Sequence, residues 1–318
     1  MMTYIVLLSG FVFLIKGADY FVDASSNVAK ILRISPIVIG LTIVAFGTSS
    51  PEAAVSIKAA MNKTSGIALG NAIGSNMVNM TLILGVTAMI RPLTVAKETI
   101  RKEIPFTLLS SVLMLVLMMD QKLQMHTKNE LTRGDGFVLL FFFIIFLYYL
   151  LEVAANSLEK NETEENIQIG SMKKNIFIGV GGLGAIILGG EFVVRSSTKI
   201  AIDLGLSETL VGLTITAIGT SLPEMITSIT AAIKKQSDIA VGNIIGSNIF
   251  NIVFVLGVSS TVATIPIDPR VFTDVILMIG STILLFIFSK TQYELSRKEG
   301  FFLFLSYIGY IAFILIRK

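Results

Sequence analysis

The chain has no cysteine, one histidine, and charged residues at only 15% of its length. Without cysteine there are no disulfides, thiolate metal sites, iron–sulfur clusters or cysteine nucleophiles. His126 stands in a polar stretch and cannot form a histidine cluster, so zinc and copper are poorly served. A soluble domain carries about a quarter charged residues. Lys plus Arg is 25 and Asp plus Glu is 22, giving a net charge of +3 with no basic face or arm, which argues against nucleic acid. The apolar stretch Met1–Ile15 follows no basic segment, so no cleavable signal peptide is expected, and no nucleotide-binding motif is present.

What the chain has in abundance is apolar length. Hydrophobic residues make up 53% and the mean hydropathy is +0.80. Residues 64–90 and 239–267 are free of charge. These runs are unbroken and too long for strands with alternating faces, so closed barrels are disfavoured. The reading is an all-α, polytopic membrane protein with ten spans, expected at 3–27, 37–60, 66–90, 104–120, 135–152, 175–199, 209–232, 239–264, 271–289 and 300–316. Polar links are expected at 120–136 and 152–174, the latter acidic around Glu159, Glu162, Glu164 and Glu165. Placing the N-terminus outside puts 14 Lys and Arg residues in inner links and 9 in outer ones, with Lys16 and Arg195 inside helices. This bias places a multi-pass protein in the cell membrane with both termini extracellular.

The strongest pattern is a duplication. Residues 38–85 and 210–257 align without a gap at a constant offset of 172, so that Glu52 matches Glu224, Asn71 matches Asn243 and Asn79 matches Asn251. A weaker echo sets Gly17, Asp19 and Ser25 opposite Gly189, Glu191 and Ser197. The expected division is an N-terminal five-helix repeat (1–152), a hydrophilic linker (153–174) and a C-terminal five-helix repeat (175–318). Five spans per half make the second copy enter from the opposite side, giving inverted repeats about an axis in the membrane plane. Two like halves in opposite orientations can expose one central site to each side in turn, a transporter's logic and not an enzyme's.

Each repeat carries GTSxPE, Gly47–Glu52 and Gly219–Glu224, in mid-span. A carboxylate at that depth must face a cavity or partner. Pro51 and Pro223 lack an N–H and clash with the carbonyls of Gly47 and Gly219 in an intact helix. Carbonyls around Ala45–Thr48 and Ala217–Thr220 are then partly released, and a bound cation would satisfy them. Thr48 with Glu52, and Thr220 with Glu224, are four apart and share a face. The next span carries GNxxGSNxxN, in which Ser75 and Asn79, and again Ser247 and Asn251, share a face. Asn76 and Asn248 border it. Asn71 and Asn243 either contact the ion or satisfy backbone freed by the break. Two carboxylates among neutral oxygens favour Ca²⁺ or Na⁺ over softer metals and over Mg²⁺. Lys16, Asp19, Glu191 and Arg195, in the less similar first helix of each half, read as snorkelling or gating-helix charges.

These paired GTSxPE and GNxxGSNxxN segments resemble the alpha-repeats of the sodium/calcium exchanger family, within the calcium/cation antiporters. The resemblance covers the whole ten-span plan. It implies eight core helices, with spans 1 and 6 as sliding gates, and a central Ca²⁺ site shared with Na⁺ sites. It implies calcium contacts from the Glu52 and Glu224 carboxylates and the Thr48 and Thr220 carbonyls. One sodium site would use Ala45, Thr48, Ser49, Glu52 and Ser75, its counterpart Ala217, Thr220, Ser221, Glu224 and Ser247, with Asn79 and Asn251 completing the middle. Potassium-dependent relatives carry Asp where Asn251 stands, so this chain looks like the potassium-independent branch. The implied activity is secondary active antiport by alternating access, three Na⁺ for one Ca²⁺, without cofactor or obligate protein partner. A Ca²⁺/H⁺ antiporter is the alternative, and a cation channel a more distant one.

Overall fold

The computed structural model describes residues 2–62, 64–123, 125, 127–160, 171–204 and 217–317, with side chains for all of these except 158–160 and 217. Among the described residues the architecture is helical, apart from four two-residue strands. Helix α1 is Met2–Ile31. The second crossing is a broken pair, α2 (Pro36–Thr48) and α3 (Ser50–Met61), bent by 50°. Then come α4 (Gly66–Ile90), α5 (residues 99–117) and α6 (Arg133–Lys160). The second half repeats this order with α7 (Met172–Asp203), the pair α8 (Ala217–Thr220) and α9 (Leu222–Ile233), α10 (Ser237–Val262), α11 (Val271–Lys290) and α12 (Arg297–Ile316).

Seven of these helices are long and apolar enough to cross a membrane alone, and the α2–α3 pair makes an eighth. Helix α5 and the α8–α9 pair complete the ten crossings. Residues 209–216 of the expected seventh span lie outside the described residues. The fourth crossing has its regular α-helix over Ile104–Leu117, preceded by a π-helical turn at Thr99–Glu103 that extends it before the expected start. Helix α6 runs on to Lys160 and α7 begins at Met172, and residues 161–170 of the expected link lie outside the described residues.

The strands report the topology. β1 (Leu93–Thr94) follows the third crossing, β2 (Glu130–Leu131) precedes the fifth, β3 (Ile265–Pro266) follows the eighth and β4 (Glu294–Leu295) precedes the tenth. β1 pairs antiparallel with β4, Leu93 opposite Leu295, and β2 pairs with β3, Leu131 opposite Ile265. Links after the third and ninth crossings share one side of a ten-crossing chain, and links after the fourth and eighth share the other. Leu93 and Ile265 stand at the same offset of 172 as the motifs. Exchanging the halves therefore turns one sheet into the other and moves it to the opposite face, which is what inverted repeats require.

The halves interlock. A Cβ on Gly85 of α4 would sit 2.7 Å from the carbonyl oxygen of Gly300 in α12, and one on Gly136 of α6 would sit 2.8 Å from that of Gly257 in α10. Each half thus lends its last helix to the other's third crossing. Burial sorts the helices by depth. The most apolar window of α10 is 94% buried and that of α4 is 72% buried, whereas those of α6 and α12 are only 17% buried and present their remaining apolar surface to lipid.

Candidate cation site

The site is built where the two broken crossings meet α4 and α10. In the first half α2 ends at Thr48, and Ser49 takes φ −82° and ψ 5°, outside the helical well. Pro51 then sits in the first turn of α3, where its missing N–H costs nothing. Ser221 repeats the turn with φ −90° and ψ 7°, ahead of Pro223 in α9. Glu52 and Glu224 consequently ride in the first turn of a new helix at the centre of the molecule, and each is 1% exposed.

The two breaks are laced together by hydrogen bonds that cross from half to half. Ser49 Oγ donates to Glu224 Oε1 at 2.8 Å, and Ser221 Oγ donates to Glu52 Oε1 at 3.3 Å. Each glutamate's other oxygen, Oε2, is buried without a hydrogen-bond partner. Neither glutamate has an ion-pair partner among the described residues. Two buried carboxylates that share no basic group repel each other and lack the counter-charge such groups need. The arrangement asks for a cation.

The asparagines arrange the rest. Asn71 Nδ2 donates to the Glu52 carbonyl oxygen at 3.2 Å and to Ser56 Oγ at 2.9 Å. Asn243 Nδ2 donates to the Glu224 carbonyl oxygen at 3.4 Å and to Ser228 Oγ at 2.9 Å. These bonds tie the re-started helices α3 and α9 to α4 and α10. Asn79 and Asn251 each have a buried Oδ1 with no partner. Four unpartnered buried oxygens, two carboxylate and two amide, thus occur at matched positions of the repeats.

The other expected residues are placed as follows. Thr48 Oγ1 donates to Asn243 Oδ1 at 3.0 Å and lies 3.3 Å from the Ala45 carbonyl oxygen, while Thr220 Oγ1 is buried with no partner. Ser247 Oγ lies 3.5 Å from the Ala45 carbonyl oxygen, and both residues are fully buried. Ser75 is 3% exposed on α4. Ala217 opens α8, in the helical turn that ends at Thr220.

One feature of the site escaped the sequence. Gly40–Val44, Val78–Ile83 and Phe250–Leu256 are π-helical. Asn79 and Asn251 each stand second in such a stretch. A π-bulge inserts one residue into the helical ladder and shifts side chains around the axis, and such bulges concentrate at functional sites. Among the described residues no three His, Cys, Asp or Glu side chains cluster as a metal site, so the anionic content of the centre is these two glutamates.

Comparison with known proteins agrees with this geometry. The family model described as sodium/calcium exchanger protein matches residues 2–152 and 174–316. The chain is 38% identical over 316 residues to "Putative antiporter CaxA" of Alkalimonas amylolytica, covering 96% of each. It is 33% identical over 341 residues to "Sodium/calcium exchanger MaX1" of Methanosarcina acetivorans, covering 97% of each. A solved structure of the sodium-calcium exchanger NCX_Mj superposes with a TM-score of 0.85 at 33% identity, covering 98% of both chains. With both halves of the chain matched and an inverted pair of broken helices whose glutamates each keep one buried oxygen without a partner, this protein belongs to the sodium/calcium exchanger family, whose members are secondary active antiporters and not enzymes.

Proposed function

We propose that the Glu52–Glu224 centre is the single place where the Ca²⁺ and Na⁺ moved by this antiporter are bound in turn. The observation that carries this reading is the set of unpartnered buried oxygens on Glu52, Glu224, Asn79 and Asn251. Ca²⁺ takes six to eight oxygens from carboxylates, carbonyls and amides, which is the donor chemistry collected here. The main-chain carbonyls of Thr48 and Thr220 complete the calcium set; Ala45, Thr48, Ser49, Glu52 and Ser75, and their counterparts Ala217, Thr220, Ser221, Glu224 and Ser247, supply the flanking sodium positions. Ser49 and Ser221 each hold one oxygen of the opposite glutamate, so loading one position is felt at the other.

The mechanism follows from charge. The two carboxylates cannot be fully matched to Ca²⁺ and to several Na⁺ together, so the ions compete. Either load offsets the buried charge, whereas an empty centre leaves two carboxylates uncompensated and resists passage of the gate across it. The gate is the pair α1 and α7, which pack on each other so closely that a Cβ on Gly17 would sit 2.8 Å from the Gly182 carbonyl oxygen. The exchange is three Na⁺ for one Ca²⁺ and moves net charge. Both termini are extracellular, the orientation that the Lys and Arg distribution supports.

Calcium uptake into sodium-loaded proteoliposomes tests the site. E52Q and E224Q are each expected to abolish exchange while the protein stays monodisperse, and near-normal uptake in both would refute the assignment. Uptake driven by an imposed membrane potential tests the charge imbalance, and indifference to voltage would exclude it. Because the chain lacks cysteine, single cysteines at Lys235 and Lys128 can be labelled with an impermeant maleimide on whole cells; the stated orientation requires labelling at 128 and not at 235.

A further inference from the structure

An asparagine side chain presents an oxygen on one edge and an NH₂ group on the other, and a half-turn about its last bond exchanges them. Only the oxygen can face a cation. Asn79 and Asn251 therefore serve the centre only if something fixes which edge is turned inward. Asn76 and Asn248 lie three residues before them on α4 and α10, and each touches the asparagine of the other half. Asn251 Nδ2 donates to Asn76 Oδ1 at 3.2 Å, and Asn79 Nδ2 donates to Asn248 Oδ1 at 3.3 Å. All four side chains are at most 1% exposed, so water does not compete for them.

The orientation of one pair is dictated by an atom that cannot flip. Asn76 Nδ2 donates to the main-chain carbonyl oxygen of Asn248 at 3.2 Å. A main-chain carbonyl only accepts. Asn76 must turn its NH₂ toward it and its Oδ1 toward Asn251. Asn251 must answer with its own NH₂, and its Oδ1 is left on the far edge, buried and unpartnered. The other pair lacks such an anchor: Asn248 Oδ1 accepts from Asn79, but Asn248 Nδ2 has no partner.

We infer that Asn76 and Asn248 are positioning residues that set the amide orientation of Asn251 and Asn79, so that oxygens and not NH₂ groups line the cation centre. The inference rests on the centre being the ion site proposed above. It assigns Asn76 the larger part, because its orientation alone is fixed by main chain. Neither residue needs to touch the ion.

Ca²⁺ titration of the purified full-length chain in detergent, by calorimetry, tests this beside uptake kinetics in proteoliposomes. Loss of a residue that orients a metal ligand costs about 10- to 100-fold in affinity. N76A is expected to raise the Kd and the apparent KM for Ca²⁺ by about tenfold, with N248A weaker than N76A in effect. N76D keeps an acceptor for Asn251 Nδ2 and is expected to lose less than N76A. The deciding comparison is made on N251D, whose carboxylate has two oxygens and no flip to control. Adding N76A to N251D should change affinity by less than about twofold, since interacting positions are not additive. An equal loss from N76A in both backgrounds would mean a packing role and overturn the inference, as would wild-type affinity in N76A. If N76A is not monodisperse, N76L fills the site without an amide and carries the same comparison. The E52Q and E224Q results keep the two readings apart. If those variants still exchange calcium, the site assignment fails; if they are dead and N76A binds normally, only the positioning role fails.

Discussion

The two halves of this protein are copies at the centre and strangers at the edge. Around the two glutamates the main hydrogen bonds correspond: Ser49 holds Glu224 as Ser221 holds Glu52, and Asn71 ties Glu52 as Asn243 ties Glu224. Beyond these bonds the copies diverge. Thr48 bonds across to Asn243 while Thr220 Oγ1 has no partner among the described residues, and α10 is more enclosed than α4. Lys234, after the second broken crossing, binds Asp19 and Asp23 of α1; its counterpart is Asn62, and the residues matching the aspartates, Glu191 and Arg195, pair with each other. An alternating-access antiporter built of inverted repeats needs both features. A shared centre has to look alike from either side, whereas at any moment the two approaches to it must differ.

The centre offers the largest test of this comparison. If the halves contribute equally, E52Q and E224Q lose calcium exchange to the same extent, and the double variant loses nothing further. One active single variant would make the cage one-sided. The gate offers the next. On α1 and α7 the contacts are symmetric, Gly10 against Gly189 and Gly17 against Gly182, with a Cβ at Gly189 only 2.7 Å from the Gly10 carbonyl oxygen. Backbone cannot give way as a flexible side chain can, and overpacking costs about 1–3 kcal/mol. G17A and G189A are matched positions and should lower the melting temperature in detergent alike. Unequal losses would show that the gate helices are not equivalent packing partners.

Much of this was legible in the sequence because it is written twice. The offset of 172, the charge-free runs and the two prolines four residues after Gly47 and Gly219 fix the crossings, the inversion and the breaks through local rules. What the sequence could not show depends on atoms of the other half. Whether Asn71 meets an ion or a carbonyl is decided by where α3 restarts, and nothing in GNxxGSN records it. The π-helical turns at Val78–Ile83 and Phe250–Leu256 are equally silent, because a π-bulge needs no marker residue and is settled by packing. Asn76 and Asn248 read as border residues because their partners, Asn251 and Asn79, lie on the other helix.

The threonines of the breaks sharpen the comparison at smaller energy. T48V removes a buried hydroxyl that bonds Asn243 and strands its Oδ1, at a net cost of about 1 kcal/mol or somewhat more. T220V removes a hydroxyl that has no partner, and exchanging it for a methyl group is expected to leave stability unchanged or raised. Thermal unfolding in the absence of Ca²⁺ measures the difference. Equal shifts for the two variants would mean that the halves are alike here after all.

The smallest effect belongs to Lys234, and it reports the asymmetry most directly. Its Nζ lies 2.6 Å from Asp19 Oδ1, 2.7 Å from Asp23 Oδ1 and 2.8 Å from the Asp19 carbonyl oxygen. Partial burial pulls its pKa down, but the hydrogen bonds and charges of the two aspartates more than offset this and leave it raised. A raised lysine contributes stability that is fully present below the ordinary lysine value and is lost only as pH rises through the raised one. The bridge between α1 and the end of α9 therefore holds unchanged across neutral pH. Both aspartates are well exposed, so its worth is that of a surface pair, about 0.2–1 kcal/mol, and it weakens with salt. K234M should lower stability slightly in dilute buffer and hardly at all in high salt. E191Q, which breaks the exposed pair confined to α7, should do nothing measurable in either. A salt-independent loss in K234M would mean that the side chain matters for its packing, and the difference between the two gate helices would then not be one of charge.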